Sequence, residues 1–250
     1  MTDKFKNNFC ISLSSIPPRF SSVKEVIISL NKQTIKPKQI FLNIPFVYKR
    51  FPTIKEVRID TFKDIVADNF KIIRCEDYGP GTKLLGSINL LKNFDYVILV
   101  DDDHCYHSRM CEIFNKYFNL DNEQAYSFFT VKIYDLVMGQ GTDGFLINSS
   151  HLGGVLDFYN KYVKNYKHCF LNDDFWISIF LKKFKNKQVY SLEDIVMKEI
   201  GEKYIYEKIN YDQPLHKIYN SILTRRYYAK YYYFKIILQK KLSQLLEFKK

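Results

Sequence analysis

Tyr96-Val-Ile-Leu-Val100 runs without interruption into Asp101-Asp102-Asp103. Five consecutive apolar and aromatic residues read as a strand buried on both faces, the kind found in parallel sheets covered by helices. Three adjacent carboxylates at its end repel one another, and folding tolerates that only where a cation offsets the charge. In extended backbone alternate side chains share a face, so Asp101 and Asp103 are expected to point together and Asp102 elsewhere. Hard carboxylate oxygens with no cysteine cluster nearby suit Mg²⁺ or Mn²⁺. The bland alternative is a solvated acidic turn.

The chain around this strand alternates in the same style. Strands are expected over 9–13, 39–44 and 70–74. Val23, Val26, Ile27 and Leu30 recur at helical spacing, as do Leu84, Leu85, Ile88 and Leu91. The stretch 45–69 reads as a loop with one helix. Strand, helix, strand, helix, strand is the order of an α/β fold with a mainly parallel sheet flanked by helices. Such sheets take ligands beyond the carboxyl ends of their strands, which is where the aspartates fall. Further on, helices are expected over 108–118, 150–164 and 173–183, and strands over 125–130, 145–148 and 187–190. A glycine-rich segment over 137–144 reads as a mobile loop. A length of 250 residues suits one large domain with an appendage, divided here into 1–203 and a basic, aromatic-rich, mostly helical extension over 204–250.

Other segments carry chemistry. Asp77-Tyr-Gly-Pro-Gly-Thr-Lys83 joins the third strand to a helix. Its glycines let backbone N–H groups approach an anion, Lys83 suits a phosphate, and Asp77 suits a nucleobase or ribose. A turn that merely caps the helix is the competing reading, and no Walker spacing is present. Arg19, just past the first strand, is a candidate donor contact or a surface residue. Asp173 and Asp174 open a helix after Asn172, where the N-terminus favours ionised carboxylates. Simple capping by acids is the alternative. Gly139-Gln-Gly-Thr-Asp-Gly144 suits a loop closing on a ligand, with Asp143 aimed at a sugar hydroxyl. His104 adjoins the triplet, but its position implies a different face.

Three segments in order carry a resemblance: Ser12-Leu-Ser-Ser-Ile-Pro-Pro-Arg19, then Asp77–Lys83 with Asp101–Asp103, then Asn172-Asp173-Asp174-Phe175-Trp176-Ile177-Ser178. Over roughly residues 8–200 the chain resembles nucleotide-sugar-dependent glycosyltransferases of the GT-A fold, Rossmann-related and nearest to the family 2-like inverting enzymes. The resemblance implies a GT-A-like catalytic domain. Asp101 would approach the ribose or the metal, and Asp103 would bind a Mn²⁺ or Mg²⁺ bridging the diphosphate. Asp77, Lys83, Asp101 and Arg19 would hold the donor. Either Asp173 or Asp174 would be the general base, and His216, in Gln213-Pro-Leu-His, is a candidate last metal ligand against a solvent-facing role. A UDP-sugar is the expected donor; glycan, lipid-linked and protein acceptors are all compatible.

Charge bears on partners. Lys and Arg number 38 against 27 Asp and Glu, a net +11 that favours anionic partners. Much of the excess lies in the tail, where Thr224-Arg-Arg-Tyr-Tyr-Ala-Lys-Tyr-Tyr-Tyr-Phe-Lys mixes cations with aromatics. Three readings stand for it: peripheral contact with an anionic membrane, packing on the catalytic domain, or pairing with another subunit. No apolar stretch reaches membrane-spanning length, no secretory signal is visible, and five scattered cysteines read as reduced thiols, so a cytoplasmic location is expected. Two other functional classes are compatible with parts of the sequence. A nucleotidyltransferase acting on a sugar phosphate would carry a glycine-rich basic loop after the first strand, and residues 14–19 have no glycine. A non-catalytic nucleic-acid-binding protein would explain the charge, but the basic residues form no recognised motif and the acidic triplet opposes phosphate, so no nucleic acid is expected.

Overall fold

The computed structural model describes residues 8–209 and 222–247. His216 and the first residues of the expected helical tail lie outside them. In chain order, β1 (Phe9–Ser14), α1 (Val23–Asn31), β2 (Gln39–Pro45), β3 (Phe70–Cys75), α2 (Thr82–Leu85), α3 (Ile88–Leu91) and β4 (Tyr96–Leu99) build the first half. β5 (His104–Tyr106), α4 (Met110–Leu120), β6 (Ala125–Ser127), β7 (Thr130–Ile133), β8 (Leu136–Gly139) and β9 (Phe145–Asn148) follow. α5 (Val155–Tyr162), α6 (Lys167–Phe170), α7 (Asp173–Ile179), β10 (Val189–Ser191), α8 (Glu193–Ile195), β11 (Tyr206–Lys208) and α9 (Ile222–Glu247) complete the described elements.

The central sheet has the order β10-β6-β9-β4-β1-β2-β3. β3, β2, β1 and β4 run parallel, as do β6 and β10. β9 alone runs against its neighbours β4 and β6. The expected mainly parallel α/β sheet is therefore present. From β1 the chain steps one way to β2 and β3, then returns to lay β4 on the other side of β1. That reversal makes the carboxyl ends of β1 and β4 the switch point, where ligand crevices form. Val100 N–H still donates to Ser12 O at 3.1 Å, so the pairing holds up to the aspartates.

Alternation along the strands splits the core in two. Ile11, Leu13, Leu42 and Ile98 pack with α1 and α4 on one face. Cys10, Phe41, Val97 and Leu99 pack with α2, α5 and α7 on the other, around fully buried Trp176. The inner face of α9 joins this second cluster through Ala229, Tyr233 and Ile236.

Several expected elements differ. The stretch 45–69 holds one short 3₁₀ turn, Asp60–Phe62, and no α-helix. The helix expected through Leu84 and Leu91 is two short pieces, α2 and α3. That expected over 150–164 is a 3₁₀ turn, Ser149–Leu152, followed by α5. The helix over 173–183 passes after Ile179 into a π-turn, Phe180–Phe184. Residues 137–144, expected as a mobile loop, include β8 and a 3₁₀ turn, Gly141–Asp143, packed beneath the acidic residues. β11 lies beyond the division drawn at 203 and pairs with β5 directly after the triplet.

The turn before α2 is built around Gly79, whose φ of +64° is strained for any side chain. A Cβ there would also meet Phe170 O at 2.8 Å, a backbone atom that cannot step aside. Gly79→Ala is expected to cost roughly 1–3 kcal/mol, read as a lower urea midpoint with an unchanged slope.

Candidate active site

The triplet occupies a turn rather than extended strand, because the chain doubles back after β4 to enter β5. That corrects the expectation that Asp101 and Asp103 share a face. Asp101 pairs with Lys83 Nζ and accepts the Thr142 hydroxyl at 3.0 Å. Asp102 and Asp103 instead share Arg19, at 2.8 and 3.2 Å from its Nη1. Asp102 also accepts the Ser15 hydroxyl at 2.6 Å. His104 is not turned away from the triplet: its Nδ1 lies 2.7 Å from Asp103 Oδ1 and its ring meets Tyr206 edge-on. In this structure Lys83 and Arg19 each offset part of the clustered carboxylate charge.

Lys83 is the hub. It is buried, touches Asp101 and lies 3.0 Å from Asp173 Oδ2. Its segment is fixed by a buried polar knot: Ser12 Oγ donates to Lys83 O, and Asn43 Nδ2 donates to Ser12 Oγ. A Cβ at Gly141 would come within 2.5 Å of Lys83 Nζ, so any side chain there would push the lysine from its present position. From the same turn, Gly141 N–H donates to Asp174 Oδ1 at 3.0 Å. Tyr106 reaches back from β5, its hydroxyl accepting Asp101 N–H at 2.9 Å. Residues 12, 83, 101, 141 and 173–174 are thereby locked together from five separate segments.

Electrostatics divide these acids. Burial would raise the Asp101 carboxyl, but Lys83 outweighs it and holds Asp101 below the usual carboxylate range. Lys83 would be lowered by burial, but Asp101, Asp173 and Asp174 raise it well above its ordinary value. Asp174 goes the other way: burial first, then the charge of Asp173, push its carboxyl up to about 8. Burial also raises Asp102 against the pull of Arg19. Asp143 is buried behind the turn, raised to about 7 chiefly by burial, and is not one of the side chains lining the cavity.

A cavity of about 300 Å³ opens over these groups. Its wall includes Arg19, Lys83, Asp101, Asp103, Asp173 and Asp174, so six of the expected site residues converge, and Asp102, which was expected to point elsewhere, lines it too. Asp77 does not line it: its oxygens accept Lys49 N–H at 2.7 Å and Gly79 N–H at 2.8 Å. Tyr78 N–H likewise donates to Thr82 Oγ1, so the glycine turn directs these two amides inward. Sequence reasoning missed Arg50, Tyr206 and Lys208, which also line the cavity. Arg50 is half-buried, burial pushes its pKa down, and its Nε has no hydrogen-bond partner. The available signal was its place five residues beyond β2, at the same end of the sheet as the triplet. Among the described residues no three carboxylate, imidazole or thiol groups converge as a ready-made metal site.

The reversal of strand order, the single antiparallel strand and a charged crevice at the switch point define a GT-A-like α/β fold. Comparison with solved structures agrees. S. aureus TarS 1–349 in complex with UDP matches with a TM-score of 0.51 and 13% identity, over 81% of this chain and 60% of that one. The same fragment in complex with UDP-GlcNAc matches at 0.53 and 12%, over 84% and 60%. The chain thus spans about 60% of the length of those TarS chains, and the likeness is one of fold. By sequence, no family profile and no curated protein matches.

Proposed function

We propose that the chain is a nucleotide-sugar-dependent glycosyltransferase, moving one sugar from a nucleoside-diphosphate donor, a UDP-sugar first among them, to an acceptor hydroxyl with inversion. The observation that carries this is the convergence of Asp101–Asp103 with Asp173 and Asp174 in one cavity, at the switch point of a GT-A-like sheet. The complexes of TarS with UDP and UDP-GlcNAc support the choice of donor.

Asp174 is the better base of the two acids. It faces the cavity, and a carboxyl that titrates near neutral pH is matched to taking a proton from a hydroxyl. Asp173 instead fixes Lys83. As Asp174 takes the proton, the acceptor oxygen bonds to the anomeric carbon from the face opposite the diphosphate. The carbon–oxygen bond to the diphosphate then breaks, and the nucleoside diphosphate leaves with the electron pair. Arg50 and Lys208 meet its phosphate oxygens, since Arg suits the phosphate geometry.

A divalent cation fits the donor set by chemistry. With Asp174 protonated at neutral pH, the wall's other four aspartates balance its four arginine and lysine side chains, so alone it offers a diphosphate no net positive charge. Asp101 and Asp103 both line the cavity and would hold Mn²⁺ or Mg²⁺ in exchange for their present contacts with Lys83 and Arg19; when bound, the ion offsets charge on the departing diphosphate.

The test is a thermal-shift panel of nucleoside diphosphates and nucleotide-sugars with and without Mn²⁺. A ligand at 100 times its Kd adds about 2.7 kcal/mol, a rise of roughly 5–10 °C for a chain of this size. Arg50→Gln is expected to weaken UDP binding about tenfold or more. No shift with any nucleotide would sink the reading.

A further inference from the structure

α9 has two apolar faces, and only one is used. Toward the body of the protein, Ala229, Tyr233 and Ile236 are buried, Tyr228 stacks on His168, and Tyr232 packs on Tyr166. On the opposite side Tyr227, Tyr231, Phe234, Leu238, Leu242 and Leu245 are each more than half exposed. At 100° per residue these six fall within a stripe about 80° wide along a helix about 39 Å long. Tyr134, exposed at the β7–β8 turn, extends the stripe sideways with its ring 5.0 Å from that of Phe234. Scattered exposed apolar residues are ordinary, but a continuous row of this length marks an interaction surface.

Charge selects the partner. Lys230 and Lys241 border the stripe on one side and Lys235 on the other. Over residues 222–247 the chain carries six Lys and Arg and a single acid, Glu247 at the end. A second copy laid on this face would set cations against cations. An anionic bilayer attracts them, takes leucine and phenylalanine into its acyl boundary, and accommodates tyrosine at headgroup level. No helix among the described residues is long and apolar enough to cross a membrane, which leaves an in-plane placement. We propose that the outer face of α9, with Tyr134, docks the protein on the surface of an anionic lipid bilayer. The inference is independent of the reading of the cavity.

The experiment is co-sedimentation of the full chain with phosphatidylcholine vesicles, and with vesicles carrying about 30 mol% phosphatidylglycerol. Binding is expected to the anionic vesicles and to be at least about tenfold weaker to the neutral ones. Phe234→Glu with Leu238→Glu is expected to lower the anionic partition about tenfold or more, without changing the melting temperature, because both side chains are exposed. Equal binding to the two vesicle types, or no effect of the double variant, would overturn the proposal. So would a dimer in solution that the same substitutions dissociate while the wild type ignores vesicles; a second copy would then be the occupant.

Discussion

Lys83→Met is expected to be the most destabilising single substitution in the site, by about 3–5 kcal/mol at neutral pH, since it breaks a buried ion pair and strands its partners. The effect has a defined pH dependence. In the wild type, burial raises the Asp101 carboxyl but Lys83 more than compensates, so its pKa lies below the ordinary value. A lowered carboxylate contributes stability that is present above the unfolded pKa and lost as pH falls through the folded one. Without Lys83 the burial effect wins, Asp101 is raised, and the variant becomes less stable as pH climbs through the carboxylate range. The gap between the two proteins should therefore be wide at pH ~7.5 and narrow at pH ~4.5. Urea unfolding at the two pH values measures it, and a gap independent of pH would show that Lys83 does not neutralise these acids.

The parts of this arrangement that local sequence dictates were legible. β1 and β4 are continuous apolar runs because a parallel strand is covered on both faces, and the aspartates directly after β4 then fall at a carboxyl end, where such sheets bind ligands; the strand order that makes it the switch point was not legible. Asp173 and Asp174 follow from a helix start with an apolar face carrying Trp176. What the pattern could not supply was which cations the fold returns to the acids. Arg19 reaches Asp102 across 83 residues of chain, and Lys83 meets Asp173 only because Ser12 and Asn43 pin its backbone. Repulsion within the triplet pointed to a missing positive charge; nothing local said that Arg19 and Lys83 would supply part of it.

Glycine explains a second difference. Residues 137–144 read as a mobile loop because three glycines usually signal freedom. Here Gly139 lies against the Phe145 ring and Gly141 against Lys83, so the missing side chains permit close packing instead. In the same way, an Asp followed by Gly-Pro-Gly suggests an anion cradle, yet Asp77 closes its own turn through the amides of Lys49 and Gly79. The sequence shows which backbone can come close; the tertiary structure decides what comes close to it.

The two adjacent acids of α7 should separate cleanly in kinetics. With Asp174 as base, kcat/KM is expected to rise with pH and level off above about 8, the value to which burial and Asp173 push it. Asp174→Asn is expected to lower kcat about 10²–10⁴-fold. Its fold should survive: an acid raised on folding contributes stability at low pH that is lost as pH rises through its folded pKa, and asparagine has no such loss. The variant should thus be at least as stable as the wild type at pH ~9. Asp173→Asn behaves differently. It removes the negative charge that raises Asp174 and frees Lys83 to act on it more strongly, so the acid limb of the profile moves to lower pH while activity persists at a reduced level. The opposite pattern, an inactive Asp173→Asn beside an active Asp174→Asn with an unshifted limb, would exchange the two roles. It would make Asp174 the residue that tunes and Asp173 the one that takes the proton.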